Sequence, residues 1–224
     1  MSIGSFRRDY DGEYVITRTT FRDGKKIQER EWIPNPIQNQ HISGRAAIIG
    51  SNLDTKKLPF YLFESHVGGL FGSQRLQLYG TGGIWKECTT NFYYDNDSAT
   101  LNEMIETGYS DHTIIYANTK NLLLHPGKLY NVPYSPFLDH ITTMIFLASF
   151  DGHKEIFLIG CQKDDKQSVN WVNQFNKIMQ NYLGTTFNYV GYPGSVEPSW
   201  KMNPNFNMMS HDEFISHCDI GMMS

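Results

Sequence analysis

Cysteine is scarce in this chain: Cys88, Cys161 and Cys218 are odd in number, far apart and never in a C-x-x-C spacing. That excludes a disulfide framework and a zinc knuckle, and a reduced cytoplasmic protein is the expectation. Long apolar runs are missing too. The longest, Met144 to Ser149, falls far short of the roughly 20 residues that cross a bilayer, so no membrane association is expected. Met1 is followed by polar residues and Arg7-Arg8 instead of an apolar stretch, which gives no expectation of a secretory leader. An excess of basic charge is also lacking. With 19 Lys+Arg against 23 Asp+Glu, the net charge of −4 is not that of a protein that wraps nucleic acid.

The remaining composition is that of a folded domain. Its 40% hydrophobic and 14% aromatic residues over 224 positions exclude a disordered chain and suffice for a real core. Charge is distributed unevenly: residues 1–45 carry 8 basic and 6 acidic side chains, residues 46–224 carry 11 and 17. A mildly basic N-terminal extension, residues 1–40, is therefore expected to precede an acidic body, residues 41–224. In the extension, Glu13 to Phe21 and Lys26 to Ile33 are rich in β-branched and aromatic residues and flank Asp23-Gly24. This is the pattern of a β-hairpin, ended by Pro34 and Pro36. Arg18, Arg22 and Arg30 could meet solvent or a ligand from it.

The body reads as α/β. Ala46 to Gly50, Asn91 to Tyr94, Thr113 to Tyr116 and Glu155 to Gly160 are short continuous apolar runs, as in strands buried on both faces of a parallel sheet. Leu138 to Asp151 fits a buried helix. Val169, Val172, Phe175, Ile178/Met179 and Tyr182 recur at helical spacing, with Gly184 as a stop. Ser210-His-Asp-Glu213 has capping-box spacing, and Gly191 to Phe206 reads as a long loop. The expected fold is a mainly parallel, Rossmann-like sheet flanked by helices, behind an N-terminal β-hairpin.

Ligands of such sheets bind beyond the carboxyl ends of the strands. After the first strand stand Gly50-Ser51-Asn52, where glycine admits a close backbone and Ser/Asn offer donors to phosphate or base. The alternative is an ordinary turn capped by Asn52 or Asp54. Glycine clusters at Gly68 to Gly72 and Tyr79-Gly80-Thr81-Gly82-Gly83 could line an anion site with backbone amides. Asp95-Asn96-Asp97 follows a buried strand, and two carboxylates so placed could hold Mg²⁺ or Mn²⁺ on a diphosphate or contact a ribose; a solvated turn is the alternative. Asp139-His140 opens the buried helix. His140 is a candidate general base beside Asp139, with capping as the bland role of the aspartate; His66, His112 and His125 are substitutes.

Ala46-Ala-Ile-Ile-Gly-Ser-Asn52, followed by Phe150-Asp-Gly-His-Lys-Glu-Ile-Phe-Leu-Ile-Gly160, resembles the nucleotide-binding core of the bacterial CMP-sialic-acid sialyltransferases. It is also similar to the archaeal hydroxymethylpterin pyrophosphokinases, and to uncharacterised products of tailed phages. The resemblance spans about residues 46 to 165. It implies a sialyltransferase-like fold and a nucleotide-sugar donor held by Gly50, Ser51, Asn52, Tyr79, Gly80, Gly82 and Asp95. Departures accompany it. The family's Gly-Asn-Gly-Pro-Ser loop is Gly-Ser-Asn-Leu-Asp here, its helix-opening Ser-Gly falls on His140-Ile141, and its strand-ending aspartate falls on Gln162, with Asp164 and Asp165 just beyond. The expected activity is glycosyl transfer from a nucleotide sugar. In a phage setting the acceptor would be hydroxymethylated DNA gripped by the hairpin, in the host cytoplasm. A non-catalytic interaction module and a pyrophosphokinase-like transferase are the alternatives.

Overall fold

A computed structural model of the chain describes residues 12–35, 44–50, 76–132, 138–161, 168–191 and 196–223. The N-terminal hairpin comprises β1 (Gly12–Arg22) and β2 (Lys25–Asn35), paired antiparallel from Gly12↔Asn35 to Arg22↔Lys25. Its two-residue turn puts Asp23 at φ 52° and Gly24 at φ 75°, the left-handed pair that matches the twist of hairpin strands. The side chains of Arg18, Arg22 and Arg30 lie outside the described atoms.

The body contains β3 (Arg45–Ile49), β4 (Leu76–Thr81), β5 (Phe92–Tyr94), α1 (Ser98–Glu106), β6 (Ile114–Ala117), α2 (Thr119–Leu124) and β7 (Tyr130–Asn131). There follow α3 (His140–Phe150), β8 (Glu155–Ile159), α4 (Ser168–Asn181), β9 (Thr186–Val190), β10 (Phe206–Met209) and α5 (His211–Met223). Strands β3 to β10 form one 8-stranded sheet in the order β10-β9-β8-β3-β4-β5-β6-β7, parallel at every pairing. The chain winds outward from β3 to β7, then crosses back and builds β8, β9 and β10 on the other side of β3. Between β3 and β8 the winding reverses.

Burial on both faces explains the uninterrupted apolar strands. Ala46 and Ile48 of β3, with Ile156 and Leu158 of β8, pack under α3 and α4. Ala47, Ile49, Phe157 and Ile159 face the other way, toward α1 and the α5 residue Phe214. Helix α3 carries the apolar crossing: Met144, Ile145, Leu147 and Ala148 are fully buried, each large side chain adding about 1.5–3 kcal/mol over exposure. Its buried hydroxyls are satisfied locally, Ser149 Oγ donating to Ile145 O at 2.8 Å and Thr143 Oγ1 to Leu138 O at 3.2 Å. At the strand starts, Arg45 pairs with Glu155 across β3 and β8 at 3.0 Å, and Glu155 also meets His217 of α5 at 3.1 Å.

Two expectations need adjusting. The periodic helix ends at Asn181, before Gly184, which has no positive φ and belongs to the following turn. The presumed loop Gly191 to Phe206 holds a 3-10 turn, Trp200–Met202, and leads directly into β10. Trp200, 1% exposed, stacks among Trp171, Phe175 and Phe206 and anchors that segment. No helix among the described residues is long and apolar enough to cross a membrane.

Candidate functional site at the carboxyl edge of the sheet

Reversal of the winding opens a crevice in a parallel sheet, because the loops after the two central strands leave in opposite directions. Here those strands are β3 and β8, ending in Gly50 and Gly160. Gly50 N donates to Ile159 O at 2.9 Å, and a Cβ at Gly50 would stand 2.5 Å from the Gly160 carbonyl oxygen. Only glycine allows the two backbones this close. Gly160 has φ 64°, which turns the chain away from its neighbour. Cys161 lies directly behind, its Sγ donating to Ile48 O at 3.5 Å, and burial pushes its thiol up to about 12. A thiol so desolvated packs and does not attack. Ser51 and Asn52, the cluster Gly68 to Gly72, His66, Gln162, Asp164 and Asp165 lie outside the described residues.

The second glycine cluster serves the protein's own packing. A Cβ on Gly80 would approach Thr90 Cγ2 to 2.8 Å and the Tyr93 ring to 3.0 Å. Gly82 turns at φ 72° into the 3-10 segment Gly82–Lys86, and its carbonyl accepts the Tyr93 hydroxyl. Tyr79 points elsewhere. Its fully buried hydroxyl donates to Asp151 and meets His153 Nε2 at 3.0 Å, beyond the end of α3 and before the start of β8. Its side chain is therefore committed at the amino edge, away from any ligand over the carboxyl edge.

After β5 the chain makes a polar ledge. Asp95, 6% exposed, accepts the Asn96 and Asp97 amides on Oδ1 at 2.7 and 2.9 Å. Its second oxygen has no partner among the described residues. Asn96 is used at both ends: Nδ2 donates to the Tyr94 hydroxyl at 2.5 Å, and Oδ1 accepts the Asn118 amide from the end of β6 at 2.9 Å. Asn121 Nδ2 completes the ledge by donating to Asn96 O at 2.9 Å. Asp97 is the N-cap of α1, accepting Thr100 N at 2.9 Å and Thr100 Oγ1 at 2.8 Å, bonds that hold its carboxyl below the usual range. Asp97 Oδ2 is thus engaged as a helix cap and Asp95 Oδ1 by two amides. No cluster of three or more His, Cys, Asp or Glu suited to a metal exists among the described residues.

Helix α3 meets the same ledge. The His140 ring lies edge-on to Tyr94 with centroids 5.1 Å apart. His140 is exposed. Asp139 occupies the N-cap position with extended backbone, φ −64° and ψ 162°, yet its carboxylate makes no capping bond. Its Oδ2 is shielded from solvent and unpartnered. Asp139 and His140 thus join Asp95 and Asn96 at one edge, whereas His112 precedes β6 and His125 follows α2, both toward the amino edge. In the sequence Asn96 and Tyr94 stand only as parts of the Asp95-Asn96-Asp97 tripeptide and its strand, and the visible signal for Asn118 and Asn121 is a helix start after a strand. An open groove of about 560 Å³ lies elsewhere, lined by Trp85, Lys86, Glu103, Tyr109, Asp111 and His112, away from this ledge.

No protein-family model, curated protein or solved structure matches this chain.

Proposed function

We propose that the carboxyl edge from Gly50 to His140 binds a nucleotide and that the protein transfers a glycosyl group from a nucleotide sugar. The observation that carries this reading is the placement of Asp139-His140 and Asp95-Asn96 together at the carboxyl edge, beside the close Gly50–Gly160 approach at the winding reversal. Each part has a chemical role. The Asp95 oxygen without a partner among the described residues suits a ribose hydroxyl. The first amides of α3, which no described side chain caps, suit the leaving phosphate. His140, exposed at that helix start, suits removal of the acceptor hydroxyl proton as the new glycosidic bond forms. The resemblance to the sialyltransferase core supports the same assignment through Gly50, whereas the family's Ser-Gly is replaced here by His140-Ile141. Mg²⁺ or Mn²⁺ has no assigned place in this reading.

Hydroxymethylated DNA is the acceptor least supported. The side chains of Arg18, Arg22 and Arg30, which would grip it, lie outside the described residues. Thermal unfolding with CMP, UDP, UDP-sugars and ATP, with and without Mn²⁺, tests the proposal. A ligand at 100 times its Kd should add about 2.7 kcal/mol, which for a chain of this size is about 5–10 °C. No shift with any of them would sink the nucleotide reading and leave the interaction-module alternative. A shift with ATP alone would favour the pyrophosphokinase-like alternative.

A further inference from the structure

An aspartate at the start of a helix ordinarily turns its carboxylate back onto the first-turn amides. Asp97 does so for α1, and Asn118 does the same for α2 with its amide oxygen. Asp139 does not, yet α3 starts there sharply, with Thr143 N bonded to Asp139 O at 2.8 Å. What fixes the start comes from the neighbouring helix. Gln174 of α4 accepts the Asp139 amide at 2.9 Å and the Thr142 hydroxyl at 2.5 Å on the same Oε1, the hydroxyl proton being shared with Asp139 O at 3.0 Å. Thr142 is fully buried and Gln174 half-buried, so this bond is partly shielded from water.

We propose that Gln174 is a positioning residue of the candidate site, holding the first turn of α3 from outside so that the Asp139 carboxylate is not drawn onto the leading amides of α3 and those amides stay available to a ligand. The assignment rests on the nucleotide reading above. Were the carboxylate to cap its own helix, it would cover the amides proposed to receive the phosphate and would place negative charge on them. Gln174 supplies a neutral acceptor, and it binds the amide of Asp139 itself, which lies before the first turn. Both ends of the arrangement are built: Gln174 Oε1 has two donors, and Asp139 Oδ2, shielded from solvent, has none. Gln174 touches no reacting atom; it acts through Asp139 and Thr142.

Titration calorimetry of the full chain with CMP and with UDP tests this, using Gln174→Leu, Thr142→Val, Thr142→Ser and the double variant Gln174→Leu/Thr142→Val. Losing the two partly shielded hydrogen bonds that order the site should weaken the tighter nucleotide about tenfold in Gln174→Leu. The double variant should lose less affinity than the sum of the two single losses, because both substitutions break the Thr142–Gln174 bond. Thr142→Ser keeps the hydroxyl and should bind like wild type, which a general packing role would not predict. If Gln174→Leu does not fold, the Thr142→Val and Thr142→Ser pair decides alone. Wild-type affinity in Gln174→Leu, or equal losses in Thr142→Val and Thr142→Ser, would overturn the assignment while leaving the nucleotide reading intact. Failure of wild type to bind either nucleotide removes both.

Discussion

Asp151 offers the sharpest stability test. It follows α3, is 2% exposed, and its carboxylate accepts the Tyr79 hydroxyl. Burial raises its pKa to about 7, with the Tyr79 bond pulling the other way, and its place at a helix C-terminus also disfavours negative charge. In the unfolded chain an aspartate titrates near about 3.9. Between those values the native state keeps a proton that the unfolded state has lost, so stability falls as pH rises from about 4 to about 7 and levels off above. Three pH units correspond to about 4 kcal/mol. Tyr79 also contacts His153, so the observed midpoint belongs to the cluster. Asp151→Asn cannot ionise and retains an acceptor for Tyr79, at a cost of about 1–3 kcal/mol if its amide finds no acceptor. Urea unfolding of both proteins from pH 4.5 to 8.5 separates the effects. The wild-type curve should fall relative to the variant across that window, whatever the offset between them. Parallel curves, or a wild type that gains on the variant as pH rises, would refute the reasoning.

Other substitutions follow from the same geometry. Gly50→Ala forces a Cβ against the Gly160 backbone and should destabilise by about 3 kcal/mol in chemical denaturation, whereas Gly83→Ala, with nothing within 4 Å, should be near neutral. Asp97→Ala should speed hydrogen exchange at the Thr100 amide and lower the unfolding midpoint while leaving nucleotide affinity unchanged; Asp95→Asn should do the reverse. Burial pushes Cys88 to about 11 and Cys161 to about 12, so iodoacetamide at pH 7.5 should label neither quickly, and Cys161 only on unfolding.

The central strands were legible because parallel strands covered on both faces need unbroken apolar runs, as Ala46 to Ile49 and Ile156 to Ile159 are. β9 was not, since Asn188 interrupts it; the amide is 2% exposed and donates to Glu155 Oε1 at 3.1 Å, a partner no local window includes. The capping box at Ser210 and Glu213 was legible because both bonds span three residues, Ser210 N to Glu213 Oε2 at 2.7 Å and Glu213 N to Ser210 Oγ at 3.2 Å. Asp139 read as a cap for the same local reason, and the structure departs because Gln174, 35 residues on, takes over the fixing. Tyr79 looked like part of a glycine-rich ligand loop. Its true partners, Asp151 and His153, are 72 and 74 residues away and meet it only once α3 has crossed the sheet.

Backbone amide shifts on titrating the protein with CMP or UDP test the central claim most directly. A nucleotide seated over the carboxyl edge should move Gly50, Asp95 to Asp97, His140 to Thr142, and Gly160. Shifts confined to the amino edge, around Arg45, Asp151 and Glu155, or to the groove between Trp85 and His112, would contradict it.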